Sequence, residues 1–411
     1  MTNTPSPHTG DALVVRNAHL LDLESGTWRE GDLLCTDGRI SEEGADRPDD
    51  AQVLDVQGGF VLPGLIDAHV HVTAFTAALG SLATTPASYV TAQASRIMGE
   101  MLDRGFTTVR DMAGADFGLA RAQQEGLVRG PRLAFGGKAL SQTGGHGDSR
   151  DAGSWHHDEH PCCADHGRVA DGEDAVRVAA RDELRKGAHH IKVMASGGVA
   201  SPTDRIDSTQ YSPAELRAAV EEAEAANRYV AAHAYTARAV NRALEAGVRS
   251  IEHGNLIDDR SVELLTEHGA FLVPTLVTYW ALKKEGREFG LSEDSWRKVD
   301  DVLGAGLGAL ERAARGGARI AYGSDLLGGM HRHQNEEFRI RSEVQKPLDV
   351  IRSATSVAAE LLGMSGEIGT LAAGARADLL VLDSDPLADI AALADPARHQ
   401  VAVVQGGRPV R

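Results

Sequence analysis

Three features of the 411-residue sequence predict an α/β fold, a (β/α)8 TIM-like barrel with a small β-sandwich formed by the N- and C-terminal segments. Short apolar runs alternate with helical stretches through the middle of the chain. The two ends are strand-like and carry no such rhythm. With 45 glycines and only 4% aromatics, the core has to be built from closely packed Ala, Val, Leu and Ile around many tight turns.

From Ala12 to about Phe60 the runs are LVVRNAHLLDL, a turn at Glu24-Ser25-Gly26, DLLCTDGRI with Asp37-Gly38, and VLDVQGG, which read as short strands. ADLLVLDSD and HQVAVVQGGRPV at the far end have the same character, so the two ends are expected to complete one small sandwich. Between them, apolar runs at 61–66, 107–111, 133–137, 190–194, 230–234, 250–253, 271–274 and 319–323 supply eight strands separated mostly by amphipathic helices. The expected division is 1–60 and 364–411 for the halves of the sandwich and 61–363 for the barrel. One helix start is well signalled: Ser212 as N-cap, Pro213 at the first helical position and Glu215 three residues on, with Asn227 closing the helix. The acidic run EEAEAA in that helix reads as a solvated face. Residues 141–171, rich in Gly, His, Asp and Cys, break the rhythm after the third strand, and a long loop there is expected to shape the active-site face.

The formal charge of −17 argues against nucleic acid as a partner, because phosphate binding relies on basic stripes. Cys35, Cys162 and Cys163 cannot make a fully paired framework, which suits a reducing compartment. The opening MTNTPSPHTGDA lacks a basic n-region and an apolar h-region, and no run approaches a bilayer span. The expectation is a cytoplasmic protein with no membrane partner.

The strongest local signal is Pro63-Gly64-Leu65-Ile66-Asp67-Ala68-His69-Val70-His71. A strand alternates faces, so His69 and His71 lie on the same side, a metal-binding arrangement. Lys192 lies between β-branched neighbours in a strand expected to be buried, where an ammonium needs a carboxylate partner or conversion to a carbamate by CO2. His233 and His253 each end a short apolar run; singly, either would pass for a hydrogen-bonded core histidine. Asp325 ends RIAYGSD and by itself could cap the next helix. Together they fall at the ends of strands one, four, five, six and eight, the face where barrel enzymes place their chemistry.

With these residues the chain resembles the amidohydrolase superfamily, in its binuclear-metal branch with a carboxylated lysine. Within it the chain is similar to prolidase-like, imidazolonepropionase-related amidohydrolases, a group that includes Xaa-Pro dipeptidases, carboxypeptidase-like enzymes and ochratoxin-hydrolysing amidases. LSQTGGHGD, IKVMASGGVASP, HAYTARAV and MHRHQNEEF carry that likeness. The resemblance implies one metal on His69, His71 and Asp325, a second on His233 and His253, and carbamylated Lys192 bridging both. Lys192 separates the chain from mononuclear relatives, which lack the bridging lysine. Zinc fits the ligand types, although Co, Mn or Fe would also be accepted.

Two such cations would lower the pKa of a shared water so that hydroxide exists near neutrality, and would polarise a scissile carbonyl. Asp325 would take the proton and pass it to the leaving nitrogen. The resemblance further implies that Tyr235 polarises the carbonyl or holds substrate and that His146 meets a substrate carboxylate. His331 and His333 either line the pocket or begin a surface helix. The His/Cys tract at 155–166 matches no usual zinc spacing and reads as a substrate-shaping lid.

The expected function is hydrolysis of an amide C–N bond in an N-acyl amino acid or an Xaa-Pro type dipeptide, a small molecule bearing a carboxylate. The alternatives are a carbamate, urea, lactone or phosphotriester hydrolase on the same site and, remotely, a non-catalytic binding or scaffold subunit. The resemblance also suggests a homo-oligomer, plausibly an octamer.

Overall fold

A computed structural model of the chain describes residues 12–150, 153, 165–201 and 203–411. Cys162, Cys163 and the tract at 155–164 lie outside the described residues, and so does the lid expected there. Among the described residues no helix is long and apolar enough to cross a membrane.

The two ends of the chain meet in one eight-stranded sheet, as their shared patterning predicts. Leu13–Asp22 pairs antiparallel with Thr27–Thr36 and parallel with Phe60–Pro63. Phe60–Pro63 in turn runs antiparallel to Leu379–Leu382, with Leu379 opposite Pro63 and Leu382 opposite Phe60. Leu13, Val15, Leu33, Val61, Leu379 and Val404 form a buried cluster on this sheet. Each such side chain contributes about 1.5–3 kcal/mol on burial, so the cluster, more than the short ladders, ties the ends together.

The middle of the chain is α/β. One parallel sheet contains Leu65–Val70, Phe106–Asp111 and Arg132–Phe135. The other contains Gly167–Val169, Ala139–Ser141, Ile191–Met194, Val230–Thr236, Ser250–Leu256, Phe271–Val273 and Arg319–Ile320. Backbone hydrogen bonds link the two: Ala68 N–H donates to the Tyr322 carbonyl at 2.8 Å, and His189 N–H to the Phe135 carbonyl at 2.8 Å.

Two strands differ from the sequence expectation. The first parallel strand begins at Leu65, because Val61 and Leu62 belong to the terminal sheet. Gly64 marks the break: a Cβ there would lie 2.3 Å from Thr107 Oγ1, so only glycine lets the chain pass from one sheet to the other. The third run, expected over 133–137, stops at Phe135 and resumes as Ala139–Ser141 after Gly137, whose φ is +74°. Gly167–Val169 pairs with Ala139–Ser141, a contact hidden from local patterning by the long intervening segment.

The helix start at Ser212 is as expected. Its side chain accepts from Glu215 N–H, Glu215 reaches back to the Ser212 N–H, and Pro213–Ala225 follows, with Asn227 in the left-handed region at φ +55°. Its acidic run is solvated, with Glu221 and Glu224 exposed, and it also carries ion pairs. Glu221 and Glu222 pair with Arg177, and Glu222 also with Arg181, both on the neighbouring Glu173–Arg185 helix.

Candidate metal centre

His69 and His71 both lie at the C-terminal end of the first parallel strand, and each spends one ring nitrogen on the protein. His69 Nδ1 donates to Glu252 Oε2 at 2.8 Å and His71 Nδ1 donates to the Ala113 carbonyl at 2.9 Å. These partners assign the tautomer, leaving the Nε2 lone pairs of both rings facing Asp325 Oδ1 at 3.3 and 3.2 Å. Ligand atoms of His69, His71 and Asp325 lie within 4.8 Å of one another, a spacing that suits one divalent cation.

His233 and His253 extend the same cavity. His233 Nε2 donates to the Gly197 carbonyl at 3.0 Å, which frees Nδ1, and His253 Nδ1 lies 2.8 Å from Thr275 Oγ1. The His253 ring centroid is 4.6 Å from that of His233 and 5.0 Å from that of His69. Lys192, 2% exposed, lines the cavity with all four histidines and Asp325. Burial pushes its ammonium down to about 8, against the pull of Glu252 and Asp325.

Local backbone conformation brings these groups together. His253, Thr275 and Asp325 have φ of +75°, +47° and +51°, left-handed values that are uncommon outside glycine and that gather at functional sites. Glu252 and His253 would point to opposite faces of a regular strand, yet both reach His69. Thr236 ends the His233 strand and caps the next helix, its side chain accepting from Ala239 N–H, which fixes where that strand stops. Asp325 N–H donates to the His69 carbonyl at 2.8 Å, while Ser324 donates to Asp67 through both its N–H and its hydroxyl. The strand that carries His69 thus also holds the turn that carries Asp325.

Tyr235 and His146 both line the cavity. The His146 ring stacks on His233 at 4.2 Å and its Nδ1 lies 2.8 Å from Ser201 Oγ, which is bonded to Asp204. His331 and His333 are not among the cavity's lining residues. Both sit in the Gly328–His333 turn: buried His331 lies with Nε2 3.1 Å from the Ala74 carbonyl, and His333 Nε2 lies 3.0 Å from Glu285. Each ring is occupied by a partner outside the pocket.

Several residues that shape the centre have no motif of their own. Arg110, fully buried, holds Glu252 Oε1 at 2.9 Å, so that carboxylate is pinned between a guanidinium and His69. His166, by contrast, ends the His/Cys tract noted in the sequence; it stacks on His71 at 5.0 Å and its Nε2 lies 2.9 Å from Thr73 Oγ1. A buried Arg in one strand and a Glu beside the His in another were the available signals, and neither has a distinctive spacing.

The sequence model of the amidohydrolase family matches residues 60–409. Ochratoxinase of Aspergillus niger is 35% identical over 369 residues, which is 85% of this chain and 75% of that protein. A prolidase solved with N-methylphosphonate-L-proline superposes with a TM-score of 0.94 at 51% identity, covering 97% of this chain and 99% of the other. A Xaa-Pro dipeptidase with methionine bound in its active site superposes with a TM-score of 0.86 at 26% identity, covering 98% and 100%.

Proposed function

The chain belongs to the amidohydrolase family, a hydrolase acting on C–N bonds, and on that footing we propose that it cleaves the amide of an N-acyl amino acid or of an Xaa-Pro type dipeptide. The observation that carries this reading is that His146 and Tyr235 line the same cavity as Lys192, Asp325 and the four histidines. The names of the similar proteins, a prolidase, a Xaa-Pro dipeptidase and an ochratoxinase, point the same way.

The family generally uses a divalent metal, and the His69, His71 and Asp325 group suits one. The donor set fits more than that. Four imidazoles each present a nitrogen whose opposite partner is held by the protein, and Lys192 supplies a buried amine of lowered basicity, the form that reacts with CO2. His69, His71 and Asp325 would hold one cation, His233 and His253 a second, with Lys192 as a carbamate between them and zinc the metal that suits these donors. Cations so held would polarise the scissile carbonyl and supply a nucleophilic water at neutral pH.

The chain's own groups do the rest. Asp325, whose Oδ1 faces both His69 and His71, takes the proton of the attacking water on a carboxylate oxygen and delivers it to the leaving nitrogen. The Tyr235 hydroxyl donates to the carbonyl oxygen as it gains charge. His146, anchored by Ser201, meets the carboxylate of the departing amino acid. The links between the two parallel sheets support closure into one (β/α)8 barrel, 61–363, flanked by the sandwich halves 1–60 and 364–411. A cytoplasmic homo-oligomer, an octamer by resemblance, completes the proposal.

The test is amine release by zinc-loaded protein from Xaa-Pro dipeptides, N-acyl amino acids including an aromatic acyl-phenylalanine, and the same amides without the carboxylate. Cleavage confined to carboxylate-bearing amides is expected. Equal cleavage without the carboxylate removes the His146 role, and no cleavage with metal bound shifts the reading to carbamates, ureas, lactones or phosphotriesters.

A further inference from the structure

Four residues hold His146 in place. Its Nδ1 lies 2.8 Å from Ser201 Oγ, and its backbone N–H donates to Gln210 Oε1 at 2.8 Å. Its ring stacks on that of His233, and Gly198 packs so close that a Cβ there would overlap the His146 Cε1. The two polar anchors converge on one carboxylate. Ser201 donates its hydroxyl to Asp204 Oδ1, while Asp204 Oδ2 accepts from Gln210 Nε2 at 2.9 Å and from the Gly198 N–H at 3.2 Å. Ser201, Asp204 and Gln210 are all buried.

We infer that Asp204 is a positioning residue for His146. Through Ser201 it fixes one edge of the ring, through Gln210 it fixes the backbone that carries the ring, and it thereby sets how tightly the substrate carboxylate is bound. The inference rests on the proposed contact of His146 with that carboxylate. With Nδ1 beside Ser201, Nε2 is the ring nitrogen left for a ligand. His146 lines both the metal cavity and the adjoining cavity that includes Met194, Ala200 and Ser201, so it stands at the boundary of the two. A ring without these anchors would sample other rotamers, and each binding event would then carry the entropic cost of ordering it. Pre-set by Asp204, the ring binds without that cost.

The loop that carries these anchors has a clasp of its own. Lys298, on the Glu293–Leu303 helix, donates through Nζ to the carbonyls of Asp204 at 2.7 Å, Ser201 at 2.9 Å and Gly198 at 3.4 Å. The same ammonium lies 3.8 Å from Asp204 Oδ1, which gives the buried carboxylate a counter-charge. A buried carboxylate with both oxygens occupied and a cation beside it is a rigid fixture, because moving it would strand several polar groups at once. Asp204→Asn keeps the shape but has one acceptor oxygen where two are used, so the anchor on Ser201 or the one on Gln210 and Gly198 is lost. Gly197, next to Gly198, accepts from His233 Nε2, so metal content is the control for damage that spreads to the metal centre.

The experiment is a double-mutant cycle on the metal-loaded full chain, with metal content and Tm recorded for every variant. The substrate is the faster of an Xaa-Pro dipeptide and an aromatic acyl-phenylalanine, and the inhibitors are the amino acid released, L-proline or L-phenylalanine, and acetohydroxamate, which needs only the metals. Asp204→Asn is expected to raise KM about tenfold with kcat within about twofold, the signature of lost binding common to ground and transition states. The inhibition constant of the released amino acid should rise by the same factor, while that of acetohydroxamate and the metal content stay unchanged. In the His146→Ala background Asp204→Asn should add nothing. Ser201→Ala should raise KM about threefold; it leaves the Gln210 and Gly198 bonds to Asp204 in place and carries the test alone if Asp204→Asn sheds metal or fails to fold. The inference is overturned if His146→Ala raises KM and the amino acid's inhibition constant while the Asp204 and Ser201 variants do not, if the losses multiply, or if acetohydroxamate weakens in step with the amino acid. Unchanged values in His146→Ala, or no cleavage of either substrate by wild type, would remove the role of His146 itself, and this inference with it.

Discussion

Glu252 accepts the Nδ1 hydrogen of His69 at 2.8 Å while its other oxygen takes Arg110 at 2.9 Å, so a carboxylate outside the cavity sets which nitrogen of His69 faces into it. Arg110 is the dominant attraction that, against the cost of burial, keeps Glu252 ionised. Glu252→Gln keeps the shape but leaves a fully buried guanidinium without its counter-charge. Metal affinity should fall about 10- to 100-fold. Unfolding of the metal-free protein should show a loss of about 3–5 kcal/mol, the range for breaking a buried pair. Chelator competition and denaturant titration measure the two effects, and unchanged affinity would refute the positioning role.

Lys192→Ala removes the amine between the two proposed metal positions. The variant should lose most bound metal and most activity, and short carboxylic acids added to the buffer should restore part of both. Metal analysis with and without such an acid decides the matter. Full activity without rescue would leave Lys192 a buried structural lysine.

Asp325→Asn keeps the hydrogen bond that the backbone N–H of this residue makes to the His69 carbonyl and removes the proposed base. At least one metal should remain, while turnover falls by about 100- to 10,000-fold, the range for loss of a positioned acid or base. A variant with native kcat would require another residue to carry the proton.

Glu337 gives a pH prediction away from the centre. Its carboxyl is buried and pushed up to about 8 by that burial, against the attraction of Arg341 and the hydrogen bond from Val277 N–H. The folded state therefore holds the proton more tightly than the unfolded chain. This contribution to stability is full below the ordinary carboxylate pKa and is lost as pH rises through about 8. Wild type should lose stability relative to Glu337→Gln between pH 5.5 and 8.5 in urea unfolding, and parallel curves for the two proteins would contradict the assignment.

Much of the candidate centre is legible in the sequence because its proposed ligands sit at strand ends, and strand ends announce themselves through apolar runs that stop at His, Lys or Asp. His69, His71, Lys192, His233, His253 and Asp325 converge for that reason. The meeting of the chain ends is equally local in origin: Val61 and Val381 belong to short apolar runs that need a partner, and each finds the other. His331 and His333 show where such reading fails, since their residue type promises chemistry while Ala74 and Glu285 occupy their rings.

The sequence by itself determined the kinds of candidate ligand, their strands and the pairing of the two ends, because periodicity and turn chemistry act over a few residues. Only the tertiary structure decided which nitrogen of His69, His71 and His233 faces the cavity, and that Arg110, Glu252 and Thr275 stand behind the histidines. Those choices depend on hydrogen bonds between residues far apart in the chain, such as the 183 positions between His69 and Glu252, and on left-handed turns at His253, Thr275 and Asp325. Neither leaves a trace in local spacing, because an alternating strand pattern assumes the regular backbone that these three residues abandon.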